Sequence, residues 1–441
     1  MALEWHTLRG LELEHGEESF FILDMPAFRR NYWDFLEGFR GIYPRTQIAY
    51  SYKTNYIPRL CGEVDRLGGY AEVVSAMEYE LARHIGVDPG RIIFNGPYKR
   101  EGDLERALLA GSVVNLDSEC ELALVERISD RHPDAALRVG LRCNFPLEEG
   151  RVSRFGFDVE AGGLEAARAR LARLPNATLV GLHCHLSTGE RSVRSYARRT
   201  GRLIELTARC FGERPPGTLN IGGGFFSRMS PLLRSQFSCD VPGYADYAEA
   251  IASQVAAAYP GGDGPELILE PGAALTTDVM RFVAKVVGVK RVRSRAVALV
   301  AGSIHNIKPT LHQTQMPLSV VRPGGRGVDR AGGARFDVVG YTCMEHDCLY
   351  PDFAGPLEAG DFTVFDNVGA YTVVMKPPFI RGAPAILVRE ADGSFSVAKR
   401  AERFEDVFVT YAWDAAVAMD PPDPPRSRAG DGASLGHGGP R

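Results

Sequence analysis

The chain has 441 residues, of which 45% are apolar and 24% charged, and its net charge is −4. That apolar fraction supports a large core and excludes general disorder. The near-neutral charge removes any electrostatic case for a nucleic-acid or membrane partner and points to a small polar or zwitterionic substrate.

Eight cysteines are scattered at 61, 120, 143, 184, 210, 239, 343 and 348, with no CxxC. The first residues, MALEWHTLRGLELEHGEE, carry no apolar targeting core, and no run of about 18 apolar residues occurs. The expectation is a reduced, cytoplasmic compartment.

In chain order, LRGLELEHG and SFFILDM read as leading strands, and Pro26–Phe39 reads as a helix. Eight short β-rich runs follow: TQIAYSYK (46–53), GYAEVVS (69–75), RIIFNG (91–96), SVVNLDS (112–118), LRVGLRCN (137–144), TLVGLHCHL (178–186), TLNIGGG (218–224) and ELILEPG (266–272). Helical periodicity separates them. Ala76–Ile85 carries Met77, Leu81 and Ile85 on one face, and Asp103–Ala110, Leu164–Leu174, Ser192–Phe211 and Tyr244–Ala258 are further helices. Strand and helix alternating eight times predict a (β/α)₈ TIM-type barrel, with an open doubly wound sheet as rival.

After about residue 280 the texture becomes β-rich: FVAKVVGVKRV, AVALVAGS, RFDVVGYTC, DFTVFDNVGAYTVV and AILVRE. The predicted organisation is 1–25 as strands joining the β domain, 26–280 as the barrel, 281–415 as a mostly β, sandwich-like domain, and 416–441 as a disordered tail. That tail holds ten Pro or Gly residues in 26.

A barrel places chemistry at the carboxyl ends of its strands. Those ends carry Lys53, Glu72, Asn95, Asp117, Arg142, His183, His185, Gly222–Gly224 and Glu270. Burial at a barrel mouth lowers a lysine pKa and would suit a Schiff-base amine, but taken alone Lys53 reads more readily as a snorkelling surface lysine. His183 and His185 alternate around Cys184 and share a face. They read as a metal pair, a flat platform or core histidines. Three successive glycines let backbone N–H groups converge on a phosphate, or make an ordinary tight turn. Glu270 needs a cationic partner, either an arginine or a protonated ring nitrogen. Cys343 reads as an acid, a nucleophile or an inert buried thiol. Cys343, His346 and Cys348 match no zinc spacing, so no metal is expected. Tyr371 reads as a phosphate or substrate contact or as packing. A lysine amine, a flat platform, an anion loop and a carboxylate for a ring nitrogen together describe pyridoxal 5′-phosphate.

The order Lys…HxH…GGG…EPG…CxxxD…GAY resembles the fold-type III pyridoxal-phosphate decarboxylases over roughly residues 18–400. These are the ornithine, diaminopimelate and arginine decarboxylases, relatives of alanine racemase. The resemblance implies a barrel plus a β domain, an amino-acid-like substrate and a homodimer with shared active sites. It implies Lys53 as the Schiff-base lysine and Glu72 near the cofactor, where the family has Asp. It places His185 against the ring, Glu270 at the pyridine nitrogen, and Thr188, Gly222, Gly223, Gly224, Gly272 and Tyr371 around the cofactor. Cys343 is implied as the cysteine that reaches the partner's site and protonates the product, and Asp347 completes CxxxD.

The departures bear on substrate. Ala273 replaces the arginine that commonly follows EPG. Met344 stands where an acidic residue usually reads a distal amino group, and it cannot pair with an ammonium. Lys308-Pro309-Thr310-Leu311-His312 stands where the diaminopimelate enzymes carry RPxLY. Lysine keeps the charge but loses the bidentate fork. Lys308, His312, Met344 and Asp347 are therefore the expected substrate-side residues, for an anionic or bulkier substrate of secondary-metabolite or siderophore-type biosynthesis. The alternatives are an amino-acid racemase or epimerase with the same cofactor, a non-catalytic decarboxylase-like regulator, and a cofactor carrier consisting of the barrel alone.

Overall fold

A computed structural model describes residues 3–147, 153–186, 191–325, 334–376 and 378–412. Strand β1 (Ser19–Asp24) joins a sheet completed much later in the chain. The next strands are β2 (Thr46–Ser51), β3 (Tyr70–Val73), β4 (Ile92–Phe94), β5 (Val113–Leu116), β6 (Leu137–Asn144), the two-residue β7 (Phe157–Asp158), β8 (Ala177–His183), β9 (Thr218–Asn220) and β10 (Glu266–Leu269). All pair in parallel. Apart from β7 they run β5-β4-β3-β2-β10-β9-β8-β6, and β6 pairs back onto β5. The sheet is closed, so the barrel expectation holds and the open-sheet rival falls. Each of the eight strand-like runs contains one barrel strand.

The surrounding helices start where the sequence offers caps. Asp24, Ser75, Ser118 and Ser192 each accept a backbone N–H at the start of Met25–Arg40, Ala76–His84, Glu119–Arg131 and Val193–Phe211. Pro58–Arg66 and Glu119–Arg131 are helices that periodicity alone did not bring out.

The barrel interior follows strand parity. Ala49, Ile93, Val113 and Ile268 form a small apolar cluster, with Tyr70 and Val180 packed against it. Ile48, Tyr50, Leu267 and Leu269 alternate with them and join the large core. Two residues beyond the apolar layer, the same inward parity delivers Ser51, Glu72, Asn95, Asn115 and Glu270. The functional end of the barrel is thus a polar layer stacked on an apolar one.

The second sheet contains β1, β11 (Met280–Val292), β12 (Arg295–Val300), β13 (Leu318–Val321), β14 (Arg335–Val339), β15 (Cys348–Ala354), β16 (Phe362–Phe365), β17 (Ala385–Arg389) and β18 (Phe395–Lys399). The first half of β11 pairs with β1 and β16, and its second half pairs with β12. This mostly β domain is one branched, hydrogen-bonded sheet. The described residues 402–412 fall in a separate unit and include the helix Phe404–Phe408. The predicted disordered tail, 416–441, lies outside the described residues.

Two local expectations are corrected. LRGLELEHG is not a strand but most of the helix Trp5–His15, ended by Gly16 in the left-handed conformation. Leu8 and Leu11 at helical spacing are buried while Leu13 is 67% exposed, so the apparent period of two in LELE lost to a period near 3.6. The run DFTVFDNVGAYTVV is strand only to Phe365. Asn367 and Tyr371 then turn with φ of 62° and 57°.

Gly181 on β8 is opposite Thr218 on β9, and a Cβ there would stand 2.3 Å from the Thr218 carbonyl oxygen. Gly181→Ala is expected to destabilise the barrel by about 1–3 kcal/mol. Urea unfolding with an unchanged midpoint would refute this.

Candidate active site

Lys53 sits in the single turn Tyr52–Thr54 that ends β2, with 31% of its side chain exposed. Its Nζ lies 2.6 Å from Glu72 Oε2, which also accepts from Ser51 Oγ at 2.5 Å. Burial pulls the lysine pKa down, but the charges of Glu72 and Glu270 outweigh it and the net shift is upward. This corrects the expectation of a lowered pKa. Lys53 is held as an ammonium, and its neutral amine requires handing a proton to a neighbour, for which Glu72 is placed.

Glu270 follows β10 and is 2% exposed. Its Oε1 accepts from Asn95 Nδ2 at 2.7 Å and from Asn220 Nδ2 at 2.8 Å. Its Oε2 faces His183 Nε2 at 3.5 Å and His185 Nδ1 at 3.8 Å. Burial raises the carboxyl pKa, but His183, Lys53 and His185 together hold it below the usual carboxylate range. His185 moves the other way. Burial and the charge of Lys53 push it well below an ordinary histidine. Its Nδ1 accepts the Gly223 N–H at 2.9 Å, so the ring is neutral with its proton on Nε2. A neutral imidazole fits the flat platform. Arg142 supports it by donating to the His185 carbonyl at 2.7 Å and to Asp117 at 2.9 Å.

The glycine loop differs from expectation. The Gly222 N–H donates to Asn220 Oδ1, and the Gly223 N–H to His185, each at 2.9 Å. Two of the three amides are therefore spent inside the loop, and Gly222 and Gly223 act as scaffold. A Cβ on Gly223 would stand 2.2 Å from the Glu270 carbonyl oxygen, so the close approach itself requires glycine. Tyr196 anchors the loop from behind, donating to the Gly223 carbonyl at 2.9 Å and stacking on Phe225 at 4.7 Å.

Two cavities meet at Lys53, His185, Leu186 and Glu270. The larger, about 580 Å³, also reaches Glu72, Asn95, Arg142 and His183. The smaller, about 100 Å³, is lined by Thr54, Arg191, Gly224, Gly272, Ala273 and Tyr371 among others. Tyr371 is tied there by its N–H to the Thr54 carbonyl at 2.9 Å. These residues fit pyridoxal phosphate. Gly272 has no Cβ, and one would lie 2.0 Å from Thr54 Oγ1. Among the described residues the buried His183 has no hydrogen bond at either ring nitrogen, and Glu270, whose Oε2 it faces at 3.5 Å, lines both cavities.

Lys53, Glu72, His185, Gly224, Glu270, Gly272 and Tyr371 are thus gathered at one mouth. Thr188 lies outside the described residues. Cys343, Met344, Asp347, Lys308 and His312 line neither cavity of the single chain. Asp347 is corrected from a substrate contact to a loop anchor. It is 3% exposed, Oδ1 accepts from Ser303 Oγ and the Ile304 N–H, and Oδ2 accepts from the N–H and hydroxyl of Thr342. The loop it organises presents Cys343 to solvent. Asn115 and Asn220 were not singled out from the sequence. The available signal was an asparagine inside each of two short apolar strands, VVNL and TLN.

Comparison with known proteins agrees with this geometry. Residues 32–277 match the family model described as pyridoxal-dependent decarboxylase, pyridoxal binding domain. The chain is 31% identical over 384 residues to a diaminopimelate decarboxylase of Actinosynnema pretiosum subsp. auranticum, covering 84% of each protein. It is 29% identical to a probable chloroplastic diaminopimelate decarboxylase of Oryza sativa subsp. japonica, covering 88% of this chain and 78% of the relative. Among solved structures, diaminopimelate decarboxylase from M. jannaschi superposes with a TM-score of 0.80 at 21% identity, over 92% of this chain and 94% of that one. These relatives are decarboxylases, which supports decarboxylation over the racemase and regulator alternatives, and the second sheet excludes a bare barrel. The match across the cofactor barrel and the 31% identity over most of the chain establish that this protein belongs to the pyridoxal-dependent decarboxylases, enzymes that use pyridoxal 5′-phosphate.

Proposed function

We propose that the enzyme decarboxylates an amino acid or amino-acid-derived intermediate of secondary-metabolite or siderophore-type biosynthesis, at a site built from Lys53, Glu72, His185, Gly224, Glu270, Gly272 and Tyr371. The observation that carries the site is the meeting of a lysine amine and an oriented, buried carboxylate across one cavity, with a small cradle beside it. The Helicobacter pylori diaminopimelate decarboxylase was solved with L-lysine, which supports an amino acid as substrate class here. The substrate side differs from a plain diaminopimelate reader at Ala273, Met344, Lys308 and His312, which supports an anionic or bulkier side chain.

When bound, pyridoxal phosphate supplies an electron-poor ring that takes up the electron pair left as the Cα–carboxylate bond breaks. The residues of the chain do the rest. Lys53 Nζ is the amine that carries the cofactor, and Glu72 Oε2 receives and returns the proton at that nitrogen. Glu270 holds a proton at the ring nitrogen, where a carboxylate kept ionised is the effective partner. The neutral His185 ring would lie against the bound cofactor without adding a competing positive charge. The 100 Å³ cradle of Gly224, Gly272 and Tyr371 would hold its phosphate. Cys343, exposed in each chain, reaches the site of a second copy and protonates the product at Cα.

The pure protein is expected to show a visible cofactor band that borohydride abolishes. Lys53→Ala should lack the band and lose activity by at least about a hundredfold; a Lys53→Ala protein that turned over at the wild-type rate would exclude this scheme. The shared site has its own test. Lys53→Ala and Cys343→Ala proteins, each inactive alone, should regain about a quarter of wild-type activity when mixed and reassembled, because half of random dimers carry one intact site of two. Mixtures that stay inactive while exchanging subunits would place Cys343 outside the partner's site.

A further inference from the structure

Glu72 on β3 and Glu270 after β10 come from the two strands that flank β2, and both are almost wholly buried. One side chain joins them. Asn95 Nδ2 donates to Glu72 Oε1 at 3.0 Å and to Glu270 Oε1 at 2.7 Å. An amide nitrogen has two N–H donors, and both are spent here. Both receiving oxygens therefore act as acceptors, so neither Oε1 carries a proton. The amide cannot flip, because Asn115 Nδ2 donates to Asn95 Oδ1 at 2.7 Å, and a flip would place donor against donor. Asn115 in turn needs the bare Gly140 beside it on the next strand, where a Cβ would stand 1.9 Å from Asn115 Oδ1.

The consequence is a division of labour within each carboxylate. The Oε1 atoms are held by asparagines. That leaves Glu72 Oε2 for Ser51 and Lys53, and Glu270 Oε2 for the histidine side of the cavity. We propose that Asn95, oriented by Asn115, is a positioning residue that clamps the lysine's carboxylate and the ring-nitrogen carboxylate together, fixing the rotation of both and favouring the ionised form of Glu270. This rests on the site reading given under Proposed function. The charged and titratable groups around Glu270 are Lys53, His183 and His185. Arg142 and Arg199 act on His185, and Glu78 lies near Glu72.

The readout is the visible absorbance of bound cofactor, titrated with pH in wild type, Asn95→Leu, Asn95→Asp, Asn115→Leu and Glu270→Gln, each checked by circular dichroism. Losing the donors makes a carboxylate easier to protonate. The acid limb of the titration should therefore move up by at least one pH unit in Asn95→Leu. It should move further in Asn95→Asp, which adds a third carboxylate, and by less in Asn115→Leu, where the amide remains but is free to turn. If Asn95→Leu does not fold, the Asn95→Asp and Asn115→Leu shifts decide. Natively folded Asn95 variants with the wild-type titration, beside a Glu270→Gln protein whose titration is altered, would overturn the clamp while leaving the site reading intact. A Glu270→Gln titration identical to wild type would instead overturn the site reading, and the clamp with it.

Discussion

Two negative charges buried within one barrel mouth are the constraint around which this molecule is arranged. An isolated buried carboxylate picks up a proton or costs several kcal/mol. Here neither carboxylate is isolated. Glu72 meets Lys53 and Ser51, Glu270 faces His183 and His185, and Asn95 and Asn220 satisfy their remaining oxygens. The same field explains two opposite shifts. Lys53 is pulled upward by the carboxylates despite its burial, while His185, next to Lys53 and already hydrogen-bonded at Nδ1, stays neutral.

That arrangement depends on strand parity. An apolar layer of Ala49, Ile93, Val113 and Ile268 plugs the barrel, and the next inward residues on those strands are Ser51, Asn95, Asn115 and Glu270. The plug excludes water beneath the polar layer, which strengthens each interaction above it. Outside the ring, Tyr196 stacks on Phe225, while Phe35, Tyr244 and Tyr247 pack edge to face around them, and together they hold the glycine loop from behind. A rigid aromatic wall on one side and a satisfied polar network on the other fix the site to within the small tolerances that chemistry requires.

The β domain contributes differently. It sends Tyr371 to the smaller cavity through a backbone hydrogen bond to Thr54, and it builds the loop from Gly340 to Asp347, closed on itself through Thr342 and tied to the segment 302–304. Asp347 spends Oδ2 on that turn and Oδ1 on Ser303 and Ile304, so the exposed Cys343 is carried on a firm support. A cysteine presented outward on a braced loop is suited to act on another molecule.

Much of this was legible in the residues. Eight β-rich runs separated by helical periodicity gave a closed barrel, and the residues ending those runs supplied the lysine, both carboxylates and the histidine platform. Period and strand parity are local properties, so a sequence carries them openly. Other features depended on which strands close upon each other. The helix at Trp5–His15 arose because Leu8 and Leu11 had a sheet to pack against, and the LELE alternation gave no hint of it. The raised pKa of Lys53, the spending of the Gly223 amide on His185, the anchoring of Asp347 to Ser303 and the Asn115–Asn95 pair all join residues distant in sequence. Each turns on a separation of a few ångströms across the barrel or a loop. The chain order names which groups exist and which way they face. Only closure of the barrel sets the distances at which they compensate one another's charge.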